Sequence, residues 1–285
     1  MIDKPLKKIL LILQIPPPIH GSSIMGQTIF ESHIINESFN CRYINLLTST
    51  TINEVGKKSI YKLWRYFVIL CKVFYNLVKF RPNLCYISIT AKGSAFYKDA
   101  VVAIIVKLFQ IKVIYHFHNK GVKEKQEIWF DNLLYRIVLS NSKIILLSKR
   151  LYPDIQKYVQ KENVYYCPNG IATICADKNL EIIRKPKDKV EILFLSNLLK
   201  SKGVFILLKA LQILKNKKYK FHCTFVGGEG DISFVQLSKE FKNLGLDNYV
   251  KYVGKKYGHD KEFYFRNSEI FVLPTLNDTF GLVNL

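Results

Sequence analysis

The chain has 285 residues and a formal net charge of +21, and 49% of its residues are hydrophobic. It can therefore build packed cores and is not a disordered polar chain. The longest uncharged apolar run, residues 100–106, is far shorter than the ~20 residues that span a bilayer. The six cysteines include no Cys-x-x-Cys pair, which argues against a disulfide framework or a zinc site.

The N-terminus carries no recognisable cleavable signal. Lys7 and Lys8 lead into a short apolar run, and Pro16–Pro18 stand where a small-residue cleavage site would be needed. We therefore expect a cytoplasmic protein. Its basic charge attracts nucleotide diphosphates, phospholipid headgroups and nucleic acid alike, so charge alone does not choose among these ligands.

Short apolar strands alternate with helix-length amphipathic segments along the chain, which predicts parallel sheets covered by helices. The first predicted sheet has strands at 8–15, 43–47, 84–89, 112–117, 143–147 and 164–166. The second has strands at 191–195, 222–226, 249–253 and 270–273. The expected fold class is α/β, with two Rossmann-like doubly wound domains at residues 1–167 and 190–285 and a linker at 168–189.

The first strand leads into a rigid turn, Pro16–Pro18, followed by Gly21. A glycine here would let a substrate approach the backbone closely. The alternative is an ordinary strand-to-helix turn in which Ser22 or Ser23 caps the helix.

Two histidines, His116 and His118, lie at alternate positions of the predicted strand 112–117 and its end, and therefore on one face. A histidine at a strand end can donate to a sugar hydroxyl or respond to a developing charge. The alternative is that both only make local hydrogen bonds. No third ligand follows at a suitable spacing, so a metal site is not predicted.

Three segments of the second predicted domain carry candidate site residues. Asn197 and Lys202 follow its first strand, and Gly227 and Glu229 lie in a glycine-rich loop after its second strand. The chain then ends in Pro274-Thr-Leu-Asn-Asp-Thr-Phe-Gly-Leu-Val-Asn-Leu. Taken singly, these segments are also compatible with a solvated helix start and plain strand-to-helix connections.

In this order, the three segments resemble motifs of the retaining glycosyltransferases of family 4, whose GT-B architecture consists of two doubly wound domains. Residues 196–203 resemble Gly-Arg-Leu-x-x-x-Lys-Gly, and residues 226–230 resemble the Val-Gly-x-Gly loop. The last twelve residues resemble Pro-Ser-x-x-Glu-x-Phe-Gly-Leu-x-x-x-Glu.

The resemblance implies roles for individual residues. Lys202 would neutralise the donor diphosphate, and His118 and Asp278 would be the catalytic residues, beside the transferred sugar. The further substrate-binding residues implied are Gly21, His116, Asn197, Gly227, Glu229, Phe280, Gly281 and Leu282. No metal or cofactor is expected, since Lys202 and helix N-termini would take the electrostatic role of a metal.

The sequence departs from the family pattern at three places. Asn197 stands where an arginine is usual, which removes a bidentate phosphate contact, and Asp278 stands where the first glutamate is usual. The second glutamate would be the residue after Leu285. We therefore expect the chain to be a C-terminally truncated form in which the second domain is incomplete.

A basic stripe is predicted on one helix of the first domain. Its residues, which share about a third of the helix circumference, are Lys58, Lys62, Arg65, Lys72 and Lys79. Aromatic and aliphatic residues fill much of the remainder, as in helices that lie on anionic membranes. The alternative is a helix packed on the first sheet with a lysine face in water.

The resemblance implies a hexosyltransferase of bacterial surface-polysaccharide type. It would move a sugar from a nucleotide-diphosphate donor to a glycan or lipid-linked acceptor with retention of configuration. Nucleic acid is not expected as a partner, and an anionic membrane at the inner face of the plasma membrane stays an open possibility. The alternative function is a noncatalytic basic module that binds anionic membrane or nucleic acid, or an inactive glycosyltransferase fragment.

Overall fold

A computed structural model describes residues 5–49, 59–171, 188–276, 278–281 and 283. The chain divides into two compact units, Met1–Ile171 and Ala172–Leu285. Most of the predicted linker at 168–189 lies outside the described residues, and so does Lys58 of the predicted basic stripe. Among the described helices, none combines the length and apolar character needed to cross a bilayer.

The first unit is built on a six-stranded sheet in which every neighbouring pair of strands is parallel. The strand order is β2-β1-β3-β4-β5-β6. The strands are β1 (Lys8–Leu13), β2 (Asn40–Asn45), β3 (Leu84–Ile89), β4 (Lys112–Phe117), β5 (Lys143–Leu146) and β6 (Val164–Tyr166). The central strands are apolar without alternation, as expected where both faces of a parallel sheet are covered.

Helices cover both faces of this sheet. They are α1 (Gly21–Phe30), α2 (His33–Ser38), α3 (Ile60–Tyr75), α4 (Gly93–Leu108), α5 (Val122–Lys125) and α6 (Trp129–Leu139), and α3 continues as a π-helical turn, Asn76–Phe80. Helices α3, α4 and α6 bury residues in the core on one face of the sheet. Helices α1 and α2 pack on the smaller core of the other face, around Ile9, Leu11 and Leu13. The sheet is therefore doubly wound.

The second unit contains a four-stranded parallel sheet in the order β10-β7-β8-β9. Its strands are β7 (Val190–Leu195), β8 (Phe221–Val226), β9 (Val250–Tyr252) and β10 (Ile270–Phe271). Its helices are α7 (Val204–Asn216), α8 (Phe234–Asn243) and α9 (Gly258–Arg266). Helices α7 and α8 pack their apolar residues against β7 and β8 in one core.

Each predicted strand is present, and only the bounds differ. Strand β1 ends at Leu13 rather than at residue 15, because the side chain of Asn45 takes the hydrogen bonds of the Ile15 amide and carbonyl. Strand β2 begins at Asn40, which pairs with Lys8, although the polar residues before Tyr43 gave no strand signal. Strand β10 stops at Phe271, two residues before the predicted end.

Candidate functional site

In the first unit, histidines converge at the carboxyl end of the parallel sheet, the edge where ligands of such sheets bind. His116 ends up buried near the end of β4, and His118 follows the strand. Their rings are in contact, with centroids 4.1 Å apart and planes tilted by 37°, on one face as their alternate positions predict. The Tyr86 hydroxyl, on neighbouring strand β3, lies 2.5 Å from Nδ1 of His116.

Burial keeps these histidines neutral. Burial, and then the neighbouring His118, lowers the pKa of His116 to about 3. Burial lowers the pKa of His118 to about 4, with a contribution from His20 and against the opposing effect of a hydrogen bond to Asn169. Burial also lowers the pKa of His20. At neutral pH the cluster therefore offers hydrogen-bonding imidazoles rather than positive charge.

The hydrogen bonds of the cluster determine which ring nitrogens are available. Nδ1 of His118 lies 3.3 Å from Oδ1 of Asn169, and because that oxygen only accepts, Nδ1 carries the proton and Nε2 is an acceptor. The Tyr86 hydroxyl occupies Nδ1 of His116, so Nε2 is the ring nitrogen of His116 that is left for another partner. Among the described residues, the buried side-chain polar atoms without a hydrogen-bond partner are His116 Nε2 and the Tyr115 hydroxyl.

The turn before α1 is organised by His20 together with Ser23. His20 is the N-cap of α1, and its Nδ1 accepts from the amide of Ser23 at 3.3 Å. The Ser23 hydroxyl accepts from the amide of His20 and donates to the carbonyl of Pro18. In the alternative interpretation of this turn Ser22 or Ser23 would be the cap, but the N-cap is His20, whose imidazole nitrogen is the capping acceptor. Gly21 is the exposed first residue of α1.

In the second unit, Lys202 and Asp278 form an ion pair. The ammonium nitrogen of Lys202 lies 2.6 Å from Oδ2 of Asp278, although the residues are 76 positions apart. Burial alone would raise the pKa of Asp278, but Lys202 and the amides of Thr279 and Gly281 outweigh it and hold the pKa below its usual range. The carboxylate thus occupies a small anion-binding site made of one ammonium and two backbone amides.

Close backbone packing holds the two halves of this site together. Gly203 has φ +77°, and a Cβ there would lie 2.0 Å from the carbonyl oxygen of Pro274. The amide of Leu276 donates to the carbonyl of Ser201 at 2.8 Å. Glycine at 203 is therefore required twice, by its left-handed conformation and by the lack of space.

The glycine-rich loop after β8 packs against the end of β7. Gly227 has φ +156°, and a Cβ there would lie 1.9 Å from the carbonyl oxygen of Ser196. Oδ1 of Asn197 accepts from the amide of Gly228 at 3.1 Å, so Asn197 braces the loop in this structure. Glu229 is exposed and forms an isolated bridge with Leu198.

The remaining predicted residues of the last segment are placed as follows. Phe280 and Gly281 are half-buried, and Gly281 has φ +66°. Leu282 lies outside the described residues. Among the residues that the structure describes, no group of three or more histidine, cysteine, aspartate or glutamate side chains could hold a metal ion.

Sequence reasoning missed three residues of the first unit that support its site: Tyr86, Asp99 and Asn169. Asp99 is buried in α4 and accepts from the amide of Thr90 just after β3. Burial raises the pKa of Asp99 to about 6 despite its hydrogen bonds with Thr90 and the charge of Lys98. A single acidic residue before the long apolar run of α4 was the available signal for Asp99. No sequence signal pointed to Tyr86 or Asn169, because the histidines that they contact are distant in sequence.

Comparisons with known proteins identify the architecture. The family model described as "Glycosyl transferases group 1" matches residues 176–285. A glycosyltransferase from Rickettsia africae superposes with a TM-score of 0.61 at 16% identity, covering 95% of this chain and 73% of that one. The chain has the GT-B glycosyltransferase fold. A search of curated proteins found no match.

Two further structures with this GT-B fold are similar over nearly the whole chain. Anabaena Alr3699/HepE in complex with UDP and glucose gives a TM-score of 0.60 at 16% identity, covering 96% of this chain and 75% of that one. WaaG, a glycosyltransferase involved in lipopolysaccharide biosynthesis, gives a TM-score of 0.64 at 14% identity, covering 97% of this chain and 77% of that one. At these identities the similarity concerns the fold.

Proposed function

We propose that the protein is a family 4 glycosyltransferase that moves a hexose from a nucleotide-diphosphate donor to a glycan or lipid-linked hydroxyl with retention of configuration. The observation that carries this proposal is the Lys202–Asp278 contact. Two segments that resemble donor-binding motifs, 76 residues apart, meet there in one anion-binding site. Alr3699/HepE, which has the same fold, is described in complex with UDP-glucose.

In this proposal Lys202 binds the donor diphosphate. An ammonium held by Asp278 and only partly exposed is fixed in position before the donor arrives, so it stabilises the charge that develops on the departing diphosphate without reorganising. The amides of Thr279 and Gly281, which now donate to Asp278, become donors to a phosphate oxygen when the carboxylate turns to the sugar. Phe280, Leu282, Asn197, Gly227 and Glu229 complete the donor site or its support.

The histidine cluster of the first unit has a different proposed role, beside the transferred sugar. His118 is neutral, and with its proton on Nδ1 it presents Nε2 as an acceptor for a sugar hydroxyl. Nε2 of His116 lacks a partner among the described residues and would hydrogen-bond to a sugar hydroxyl. Gly21, at the start of α1, would border the substrate. The proposed cellular place is the cytoplasm, with the chain bound peripherally at the inner face of the plasma membrane.

The test measures binding of nucleoside diphosphates by titration calorimetry. The proposal expects one nucleoside diphosphate to bind better than the others, and Lys202→Ala to weaken it about a hundredfold, since charge-assisted contacts of a partly buried ammonium contribute ~3 kcal/mol. Lys200→Ala is the matched control, because Lys200 is exposed and its hydrogen bonds with described residues are made by its backbone, to Asp231 and from Gly203.

Two results would contradict the proposal. Equal binding of all nucleoside diphosphates, lost steeply with added salt, would indicate a charge-driven binder. Equal effects of Lys202→Ala and Lys200→Ala would remove Lys202 from the donor site. For retention, the anomeric configuration of a transferred sugar is read by NMR, and an inverted product excludes the family 4 mechanism.

A further inference from the structure

An unusually aromatic surface covers the helices α3, α4 and α6 of the first unit, all of which pack on the same face of the sheet. We define this three-helix face by its exposed aromatic residues, which are Tyr61, Trp64, Phe67, Phe74, Tyr75, Tyr97, Phe109, Trp129 and Phe130. Single exposed aromatic residues are ordinary, but a contiguous group of this size marks a surface that binds something.

Helix α3 shows that this exposure is patterned. Its inward residues Ile69, Val73 and Leu77 are buried in the core, at the spacing of one helix face. On the opposite side, Trp64 and Phe67 are 65% and 54% exposed, and Phe74 follows at the same helical period with 56% exposure. The helix therefore has a second apolar stripe, which the fold of the unit does not bury.

Ring contacts show that the apolar surface is continuous from helix to helix. Phe74 of α3 meets Phe109, just after α4, with centroids 5.6 Å apart. Tyr97 of α4 meets Phe130 of α6 at 5.8 Å. Between α3 and α4 lies an open groove of about 510 Å³, lined mainly by apolar side chains and bordered by Lys79.

The charge of the same helices is one-sided. Their basic residues are Lys62, Arg65, Lys72, Lys79, Lys98, Lys107 and Arg136, counting the π-helical turn with α3. Their acidic residues are Asp99 and Asp131, which are 4% and 2% exposed. No exposed acidic residue lies on these three helices, all of which the structure describes, so their exposed charged side chains are basic, and the exposed Glu127 lies just before α6.

We propose that the three-helix face is a peripheral membrane-binding surface for anionic phospholipid. Tryptophan, tyrosine and phenylalanine prefer the boundary between headgroups and acyl chains, and basic residues beside them are attracted to anionic headgroups. A second copy of this chain fits less well, because two such faces would bring their cations together. The occupant that satisfies both the aromatic and the basic residues is an anionic bilayer.

This inference gives a surface to the peripheral location proposed above. It does not depend on sugar transfer, because neither the histidine cluster nor Lys202 lies on the three helices. If the nucleotide-binding test contradicts the proposed donor site, the result of the lipid-binding test still stands. If the lipid-binding test fails, the result for the donor site still stands.

The chain carries its own reporter for the experiment. It contains two tryptophans, Trp64 and Trp129, and both lie on the three-helix face, 65% and 75% exposed. We would titrate the whole chain with vesicles made of equal parts phosphatidylglycerol and phosphatidylcholine, and with vesicles of phosphatidylcholine alone. The expected result is a blue shift of tryptophan emission and quenching by brominated lipid, with the mixed vesicles only.

Paired variants separate the two components of the surface while both tryptophans remain. Phe67→Ser with Phe74→Ser is expected to weaken partitioning at least tenfold, and its matched control is Tyr219→Ser with Phe234→Ser, which changes exposed aromatic residues of the second unit. Lys72→Gln with Lys79→Gln is expected to weaken it about 25-fold, since each cation contributes about fivefold. Lys217→Gln with Lys239→Gln is the control of equal charge.

Three outcomes overturn the proposal. The first is unchanged emission of the unaltered chain at saturating anionic vesicles. The second is an emission shift that follows protein concentration without lipid, which assigns the face to self-association. The third is an equal loss of binding in the variants and their controls, which assigns binding to the overall charge of +21.

Discussion

The two units place very different chemistry at the ends of their strands. The first unit gathers neutral imidazoles, because burial holds the pKa of His116 and His118 near 3 and 4. The second gathers opposite charges, Lys202 and Asp278, in an ion pair that keeps the carboxylate ionised. One parallel architecture can therefore hold neutral hydrogen-bonding groups or an ion pair at its strand ends, depending on whether a buried polar group has a partner of opposite charge.

The largest expected effect concerns the backbone that supports the charged site. Gly203→Ala forces a Cβ to within 2.0 Å of the Pro274 carbonyl, so we expect it to lower the free energy of unfolding by about 3 kcal/mol or more. Gly254→Ala is the control, because Gly254 has φ +72° and open space around it, which leaves only a conformational cost of about 1 kcal/mol. Urea unfolding followed by circular dichroism measures both, and equal losses would contradict the close packing.

The second prediction contrasts the two units through pH. The folded-state pKa values of His116 and His118 lie below the usual 6.5, so the stability tied to their neutral forms is present above pH 6.5 and is lost as pH falls toward 4. Asp99 acts in the opposite direction, because its pKa is raised to about 6 and its unfavourable burial is relieved as pH falls below that value. The destabilising effect of the two histidines is larger than the stabilising effect of the one aspartate. We therefore expect the free energy of unfolding to fall by about 2 kcal/mol between pH 7 and pH 5.

Tryptophan emission measures this loss in the first unit alone, because both tryptophans lie there. The variant His118→Gln should flatten the pH dependence, whereas the pair in the second unit should matter only below the ordinary pKa of Asp278, since its pKa is lowered further. A pH profile of tryptophan-monitored unfolding that is unchanged by His118→Gln would show that folding does not lower the pKa of His118.

The third prediction uses Asp278 to test whether its carboxylate occupies the site of a phosphate. Asp278→Asn removes the negative charge that pairs with Lys202, so we expect a nucleoside diphosphate to bind about fivefold more tightly, even though sugar transfer falls. Asp247→Asn makes the same change of charge at an exposed position of the same unit. Calorimetry that finds weaker binding for Asp278→Asn than for this control would mean that the carboxylate itself contacts the nucleotide.

The smallest expected effect distinguishes support from substrate contact at Asn197. Its side-chain oxygen accepts from the Gly228 amide, so Asn197→Ala should cost about 1 kcal/mol of stability in urea unfolding. Asn243→Ala, on the exposed side of α8, should change stability by less than about 0.5 kcal/mol. If Asn197→Ala greatly weakens nucleotide binding without changing stability, Asn197 contacts the substrate rather than supporting the loop.

The α/β fold was readable from the sequence because local rules and global architecture agree. The side chains of apolar runs such as 84–89 and 112–117 point to both faces of a sheet, so these runs predict strands covered on both sides. The structure confirms strands at those bounds. The roles of the site residues stay predictions, although their motifs led to the right strand ends. The sequence did not point to His20 as the cap of α1, because histidine seldom takes that position, and only the folded turn shows its nitrogen facing the Ser23 amide.

The sequence by itself determined where strands and helices form, which face of each helix is apolar, and which polar residues stand at strand ends, because these depend on local periodicity and on residue type. Only the tertiary structure decided the protonation of the histidines, the pairing of Lys202 with Asp278, and the joining of three helices into one aromatic and basic surface. The physical reason is that burial, charge pairing and surface continuity are properties of residues that meet in space, and sequence separation does not record those meetings.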